Sequence, residues 1–148
     1  MSLRGDPVDR SALERMNETL VHRGPDSGGV HISAGAGLGA RRLSIIDLAG
    51  GDQPIANEDE TVWVVQHGEI YNFPELRDEV EAAGHTLRTR CDTEIHLHLY
   101  EMHGPGYVER LRGMFAVALW DTRERRLVLA RDRFGIKPLY YRVAGDTL

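Results

Sequence analysis

The run Thr61-Val62-Trp63-Val64-Val65 constrains this chain more than any other segment. Side chains alternate across a strand, and this run is apolar on both faces. It therefore belongs at the centre of a sheet that is covered from both sides. Such a sheet needs a further layer above and another below. At 148 residues the chain is long enough to build one domain of that kind around a real core.

The flanking sequence supplies the layers. Ser11-Ala12-Leu13-Glu14 is a capping box, and Leu13, Met16 and Leu20 follow at helical spacing before Gly24-Pro25. Residues 29–32 and 38–42 read as short strands bounded by glycines, and Gly50-Gly51 and Asn57-Glu58-Asp59-Glu60 as turns. A second helix begins near Asn72, with Pro74 in its first turn, Leu76, Val80 and Ala83 on one face, and Gly84 at its end. A third starts at Asp92-Thr93, carries Ile95, Leu99 and Met102 on one face, and stops at Gly104-Pro105-Gly106. Residues 115–120 and 127–130 are strands joined by a charged turn. This order predicts an α+β layered sandwich, antiparallel sheets with helices packed outside. Met1-Ser2-Leu3 precedes the first helix with no strand of its own, and residues 142–148 resemble a hairpin turn entering a new strand. The expectation is one domain over residues 1–148, truncated at both ends.

A formal charge of −5 argues against a nucleic-acid partner, which calls for a basic face. No apolar run reaches the length of a membrane span. The single cysteine, Cys91, excludes an internal disulfide and fits a reducing, cytoplasmic setting. His96, His98 and His103 could suggest a metal site, but His96 and His98 diverge on a helix, so they read as a solvated face and no metal is expected.

Three segments carry chemistry: Arg41-Arg42-Leu43-Ser44-Ile45-Ile46-Asp47, His67-Gly68-Glu69-Ile70-Tyr71-Asn72 just after the central strand, and Cys91-Asp92-Thr93-Glu94 at a helix start. They offer a guanidinium, a glycine whose N–H can be approached closely, and a carboxylate. A free amino acid needs that set for its carboxylate, its side chain and its ammonium. Each alone has an ordinary reading, since strand arginines pair at surfaces and an Asp before a helix is a cap. Their co-occurrence points to a site.

With His22-Arg23-Gly24-Pro25-Asp26, Leu111-Arg112-Gly113-Met114-Phe115-Ala116 and the run from Arg131 to Tyr141, these segments occur in the same order in glutamine-hydrolysing asparagine synthetases. From about Arg4 onward the chain resembles the N-terminal, class II glutamine amidotransferase domain of that family. The resemblance implies an N-terminal-nucleophile αββα sandwich whose first strand is missing here. In the family an N-terminal cysteine attacks the glutamine amide, with its own α-amino group as base. Ammonia then passes to a C-terminal synthetase domain that uses ATP and magnesium to amidate aspartate.

Carried over, the resemblance gives Arg42 the substrate α-carboxylate and Asp92 the α-ammonium. Leu43, Ser44, Ile45 and Ile46 line the pocket, and Gly68 and Glu69 lie beside the scissile amide, with the Gly68 N–H as an oxyanion donor. No cofactor is expected in this domain. The expected partners are L-glutamine and the synthetase domain, with a homodimer possible.

The chain departs from the family pattern twice. No cysteine follows Met1, and Ser2 falls outside the alignment of the lost strand, so Ser2 is not a shifted nucleophile. Cys91 has no free α-amino group beside it. His67 stands where the family has an asparagine whose amide completes the oxyanion hole, and an imidazole differs in reach and protonation. The reading is a glutaminase domain that keeps glutamine recognition and is inactive in this form. The alternative is a non-catalytic scaffold or dimerisation domain, as in β-lactam-synthetase-like relatives.

Overall fold

The computed structural model describes residues 1–33, 35–43 and 51–148. Helix α1 (Arg10–Glu18) is followed by strands β1 (Ser27–Ser33) and β2 (Ala36–Arg42), which pair antiparallel as a two-stranded sheet. Strands β3 (Ile55–Ala56), β4 (Val62–Ile70), β5 (Gly113–Asp121) and β6 (Arg126–Arg131) form an antiparallel sheet in that order. Helix α2 (Phe73–Ala82) and helix α3 (Ile95–His103) lie between β4 and β5 in the chain, and a 3₁₀ turn, Asp92–Glu94, leads into α3.

The layers follow from which side chains each strand turns to which side. Val62 and Val64 of β4 point with Phe115, Val117 and Leu119 of β5 into a core shared with Leu76, Val80, Ile95 and Leu99 of the helices. On the opposite face Trp63, Val65, Ala118 and Trp120 meet Ala36 and Leu38 of β2. Helix α1 packs outside the β1–β2 hairpin. Gly37 lets the Leu13 side chain lie against β2, since a Cβ there would stand 2.9 Å from Leu13 Cδ2. The order is helix, sheet, sheet, helix, with β4 covered on both faces as its sequence requires.

Several expectations change. Helix α1 begins at Arg10, and its cap is Asp9, not Ser11. The Asp9 carboxylate accepts from the Ser11 and Ala12 N–H groups at 2.9 and 3.3 Å and from the Ser11 hydroxyl at 2.8 Å. A charged acceptor placed two residues upstream takes the first-turn donors before Ser11 can. Met16 and Leu20 of the expected apolar stripe are exposed.

The central strand does not stop at Val65. It runs on to Ile70, so His67, Gly68 and Glu69 lie within it, paired with Ala116, Phe115 and Met114. Gly68 sits at φ +138°, where a Cβ would come within 1.9 Å of the Met114 carbonyl oxygen. The close approach of β4 to β5 there depends on that missing Cβ.

His96 and His98 are not on a solvated face. Both are fully buried, and every residue from Cys91 to Tyr100 is buried, because α3 is covered by β4, α2 and the turn that follows it. At the chain ends, Thr147 bridges both Ala144 and Ser2, so the expected final turn forms and lies beside the N-terminus. No helix among the described residues is long and apolar enough to cross a membrane.

Candidate functional site

A cleft of about 540 Å³ opens between the two sheets, where β2 and β4 run past the end of β3. Strand β3 pairs with β4 only at Trp63 and Val64, so among the described residues the edge from Val65 onward borders the cleft. Arg42 and Leu43 line one wall, His67, Gly68 and Glu69 another, and Cys91, Asp92 and Thr93 a third. Ser44, Ile45 and Ile46 lie outside the described residues.

Arg42 is the last residue of β2 and its side chain is 90% enclosed, being 10% exposed. Its Nη1 stands 3.3 Å from Asp52 Oδ1, and Asp52 also accepts the Ser27 hydroxyl at 2.6 Å. The Ser27 hydrogen bond and, after it, Arg42 hold the Asp52 carboxyl below its ordinary range. Asp52 is largely exposed, so an incoming carboxylate can replace it on the guanidinium with little desolvation.

Asp92 opens the 3₁₀ turn and is buried. Its Oδ2 accepts from the Ile70 N–H at 2.7 Å and the Gln66 amide at 3.0 Å. Oδ1 lies 3.6 Å from the Cys91 thiol, a weak donor, which leaves that oxygen able to take a cation. The Gln66 amide is itself held from behind. Its Oε1 bonds His96 Nε2, and His96 Nδ1 bonds the Tyr107 hydroxyl at 2.9 Å. Burial pushes His96 down to about 3, so the ring is neutral. With Nε2–H given to Gln66, Nδ1 accepts from Tyr107. Tyr107, His96 and Gln66 thus form a directed chain that ends on the Asp92 carboxylate.

The edge of β4 explains the place of Gly68. N–H groups of alternate residues leave a strand on the same side. The Gln66 N–H goes to Gln53 Oε1 at 2.7 Å and the Ile70 N–H to Asp92, so both point out of the open edge. Across the ladder, the N–H and C=O of Phe115 are both taken by Asp132, at 3.3 and 2.8 Å. Alternation therefore aims the Gly68 N–H out of the same edge, between two groups already bonded there.

His67 points toward the cleft, and its Nε2 faces Arg23 Nη2 at 3.4 Å. A guanidinium can only donate, so Nε2 accepts and the ring proton sits on Nδ1. Burial first, then Lys137 and Arg23, lower the His67 pKa and keep the ring neutral near pH 7. Lys137 reaches the cleft because Asp132 ties its loop. The Asp132 carboxylate accepts from the N–H groups of Phe134, Ile136 and Lys137 at 3.1, 2.9 and 3.0 Å.

The charged groups expected from the sequence line this cleft together with two amides that were not expected, Gln53 and Gln66. Gln53 bonds both the Gln66 N–H and, through its own amide, the Thr93 hydroxyl at 3.2 Å. Glutamine inside or before a strand carries no local signal of that role. Cys91 lines the cleft with its thiol buried, and burial raises its pKa, so it stays protonated.

A family model for the glutamine amidotransferase domain matches residues 2–148. Over 134 residues the chain is 49% identical to a glutamine-hydrolysing asparagine synthetase of Bacillus subtilis, covering 90% of this chain and 21% of that protein. It is 46% identical over 131 residues to one from Arabidopsis thaliana, covering 88% of this chain and 22% of the relative. The chain thus spans about a fifth of the length of these relatives. Among solved structures, a B. subtilis glutamine phosphoribosylpyrophosphate amidotransferase superposes with a TM-score of 0.50 at 18% identity, over 62% of this chain and 22% of that one. That likeness concerns the fold, and agrees with the helix–sheet–sheet–helix layering.

Proposed function

The chain belongs to the glutamine amidotransferase domain family, and from that premise we propose that its cleft binds L-glutamine as the glutaminase domain of an asparagine-synthetase-type enzyme. The observation that carries this reading is the meeting of Arg42, Asp92 and the Gly68 edge in one cleft. Arg42 takes the α-carboxylate in place of Asp52. Asp92 Oδ1 takes the α-ammonium, while Oδ2 stays with Ile70 and Gln66. The side-chain amide then lies along β4 beside Gly68 and Glu69. There the Gly68 N–H meets charge that develops only in the tetrahedral intermediate.

In the wider protein, ammonia freed here would pass to a synthetase domain that uses ATP and magnesium to amidate aspartate. Among the described residues lining the cleft, none combines a nucleophile with an adjacent base. Cys91 is a buried thiol held protonated, and the Thr93 hydroxyl is committed to Gln53. Neither has a free α-amine beside it to serve as base. Met1 and Ser2 do not line the cleft. The chain should therefore release no glutamate from glutamine above the buffer rate in a coupled assay cleared of contaminating glutaminase. Measurable turnover would show that another group supplies the nucleophile.

Binding is the positive test. A hydrogen bond to a charged group is worth about 1.5–3 kcal/mol, so Arg42→Ala should weaken L-glutamine binding about tenfold or more. D-glutamine should bind more weakly than L-glutamine, because Arg42 and Asp92 fix two substituents of the α-carbon. Calorimetry showing equal affinity for wild type and Arg42→Ala would remove that arginine from the site. One observation favours a second reading, a scaffold without hydrolysis. His67, where the family places a carboxamide donor, has its Nε2 turned to Arg23.

A further inference from the structure

The strongest unexplained polar group lies away from the cleft, in the middle of α3. His98 is fully buried, and neither of its ring nitrogens makes a hydrogen bond. Such a group is costly in a protein interior unless something else completes it. Around it stand Glu58 from the turn after β3, His85 from the loop after α2, and Glu101, one turn further along α3. Glu101 Oε2 is also buried without a hydrogen bond.

We propose that Glu58, His85, His98 and Glu101 form a binding site for a first-row divalent metal ion, best suited to zinc. One ligating atom from each, all within 4.8 Å of one another, can be drawn from these four residues. Zinc holds nitrogen and oxygen ligands at about 2.0–2.2 Å, so the edges of its tetrahedron measure about 3.3–3.6 Å. His85 Nδ1 is 3.3 Å from Glu58 Oε1, and His98 Nδ1 is 3.5 Å from both Glu58 Oε2 and Glu101 Oε2. The His85 Nδ1 to Glu101 Oε2 edge is 3.9 Å. Glu58 presents Oε1 to His85 and Oε2 to His98, so the four side chains close on a common centre once that carboxylate turns one oxygen towards both rings.

Two imidazoles and two carboxylates suit zinc better than calcium or magnesium, which want oxygen alone. Four protein ligands make a structural site, without an open position for catalysis.

The surrounding groups are those that metal ligands need. The other face of the His98 ring, Nε2, looks at Glu94 Oε1 at 3.6 Å, placing a carboxylate behind a ligating histidine. Glu94 is fixed by the N–H groups of Arg88 and Thr89 at 2.8 and 2.7 Å. Glu101 Oε1 accepts the Asn57 amide at 2.7 Å, which turns Oε2 inward. The Glu58 carbonyl accepts from Arg88 Nη2 at 2.7 Å. A metal here would clamp α3 to the loops before it, and α3 continues the turn that presents Asp92 and Thr93 to the cleft.

Without metal, the cage holds a proton in its place. Burial opposes the charged ring, but Glu101, Glu94 and Glu58 outweigh it and raise His98 to about 9. The other charged groups facing it are His85 and, through Glu101 and Glu58, Arg123 and Arg88.

The test is a titration of the chelator-stripped chain with zinc chloride, followed by calorimetry and by competition with a chromophoric chelator. One equivalent should bind, raise the melting midpoint by several degrees, and be removed by excess chelator. His85→Ala and Glu58→Gln, at partly exposed positions that the fold tolerates, should each weaken binding about tenfold or more. His103→Ala, an exposed histidine outside the cluster, should leave it unchanged. Cobalt should give the visible absorption of a tetrahedral site. The proposal is overturned if no stoichiometric binding is found, if the melting midpoint ignores zinc, or if His103→Ala weakens binding as much as His85→Ala. The cluster is then a protonated imidazole caged by carboxylates and nothing more.

Discussion

Gly68→Ala should leave a protein that barely folds, with a loss of roughly 3 kcal/mol or more in unfolding free energy. Two costs combine at this position. A Cβ on Gly68 would come 1.9 Å from the Met114 carbonyl oxygen and 2.7 Å from the Phe115 Cα, both backbone atoms that no rotamer change can move. The residue also sits at φ +138°, a conformation that L side chains rarely adopt. Relief requires β4 and β5 to part where Gly68 faces Phe115, near one end of their ladder. Gly84→Ala separates the two costs. Gly84 lies at φ +97° with nothing within 4 Å of an added Cβ, so it carries backbone strain without a clash. That variant should lose only about 1 kcal/mol. Urea denaturation of both decides the matter. If the Gly68 and Gly84 variants lose the same stability, β4 and β5 can separate locally, and the close approach at Gly68 is not what positions this edge of the cleft.

The layered architecture was legible because its strongest signals are local. A run apolar on both faces can only be a covered strand, and Val62 to Val65 took that place in β4. Helix α2 was legible from Asn72, Pro74 and Gly84, whose geometric preferences act within a single turn. What escaped was decided across distance. His96 and His98 diverge on their helix, yet both are buried, because each has a partner that stands elsewhere in the chain. For His96 the partners are Gln66 and Tyr107, and for His98 a set of carboxylates. The extension of β4 through His67-Gly68-Glu69 was hidden by the glycine, and the segment read as following the strand, although a second glycine-dependent contact, at Gly113 against Glu69, keeps the strands together. In the site, residue type exposed Arg42 and Asp92, since an amino-acid ligand asks for a guanidinium and a carboxylate. The Gln53 and Gln66 amides have no such signature. Their places are set by distant partners, the open edge of β4 and Thr93 for Gln53, and Asp92 and His96 for Gln66.

On the proposed reading, the same edge puts His67 beside the reacting amide. In a protein where a cysteine-initiated N-terminal strand precedes Leu3, His67→Asn should raise glutamine turnover about 10²–10³-fold, the usual worth of one oxyanion donor. The structure gives the reason. Arg23 donates to His67 Nε2, so the single ring proton is on Nδ1, close to the ring's attachment and unable to reach as far as a carboxamide N–H₂. Burial, Lys137 and Arg23 together depress the His67 pKa, so a second proton is not available near neutral pH. On that reading the Gly68 N–H would stand alone against the developing oxyanion. Asparagine would add a donor aimed along the same strand while leaving Arg42 and Asp92 untouched. Glutamine affinity should therefore stay within about twofold as turnover rises, because the new bond forms mainly in the transition state. Acidification tests the same point from the other side. Since the His67 pKa is lowered, the doubly protonated ring predominates only below pH 6.5, and only there should the unsubstituted protein gain on His67→Asn. A change in affinity without one in turnover would make position 67 a ground-state contact. Equal turnover in both proteins would mean that Nδ1–H already meets the oxyanion, and that the domain needs only its cysteine to hydrolyse glutamine.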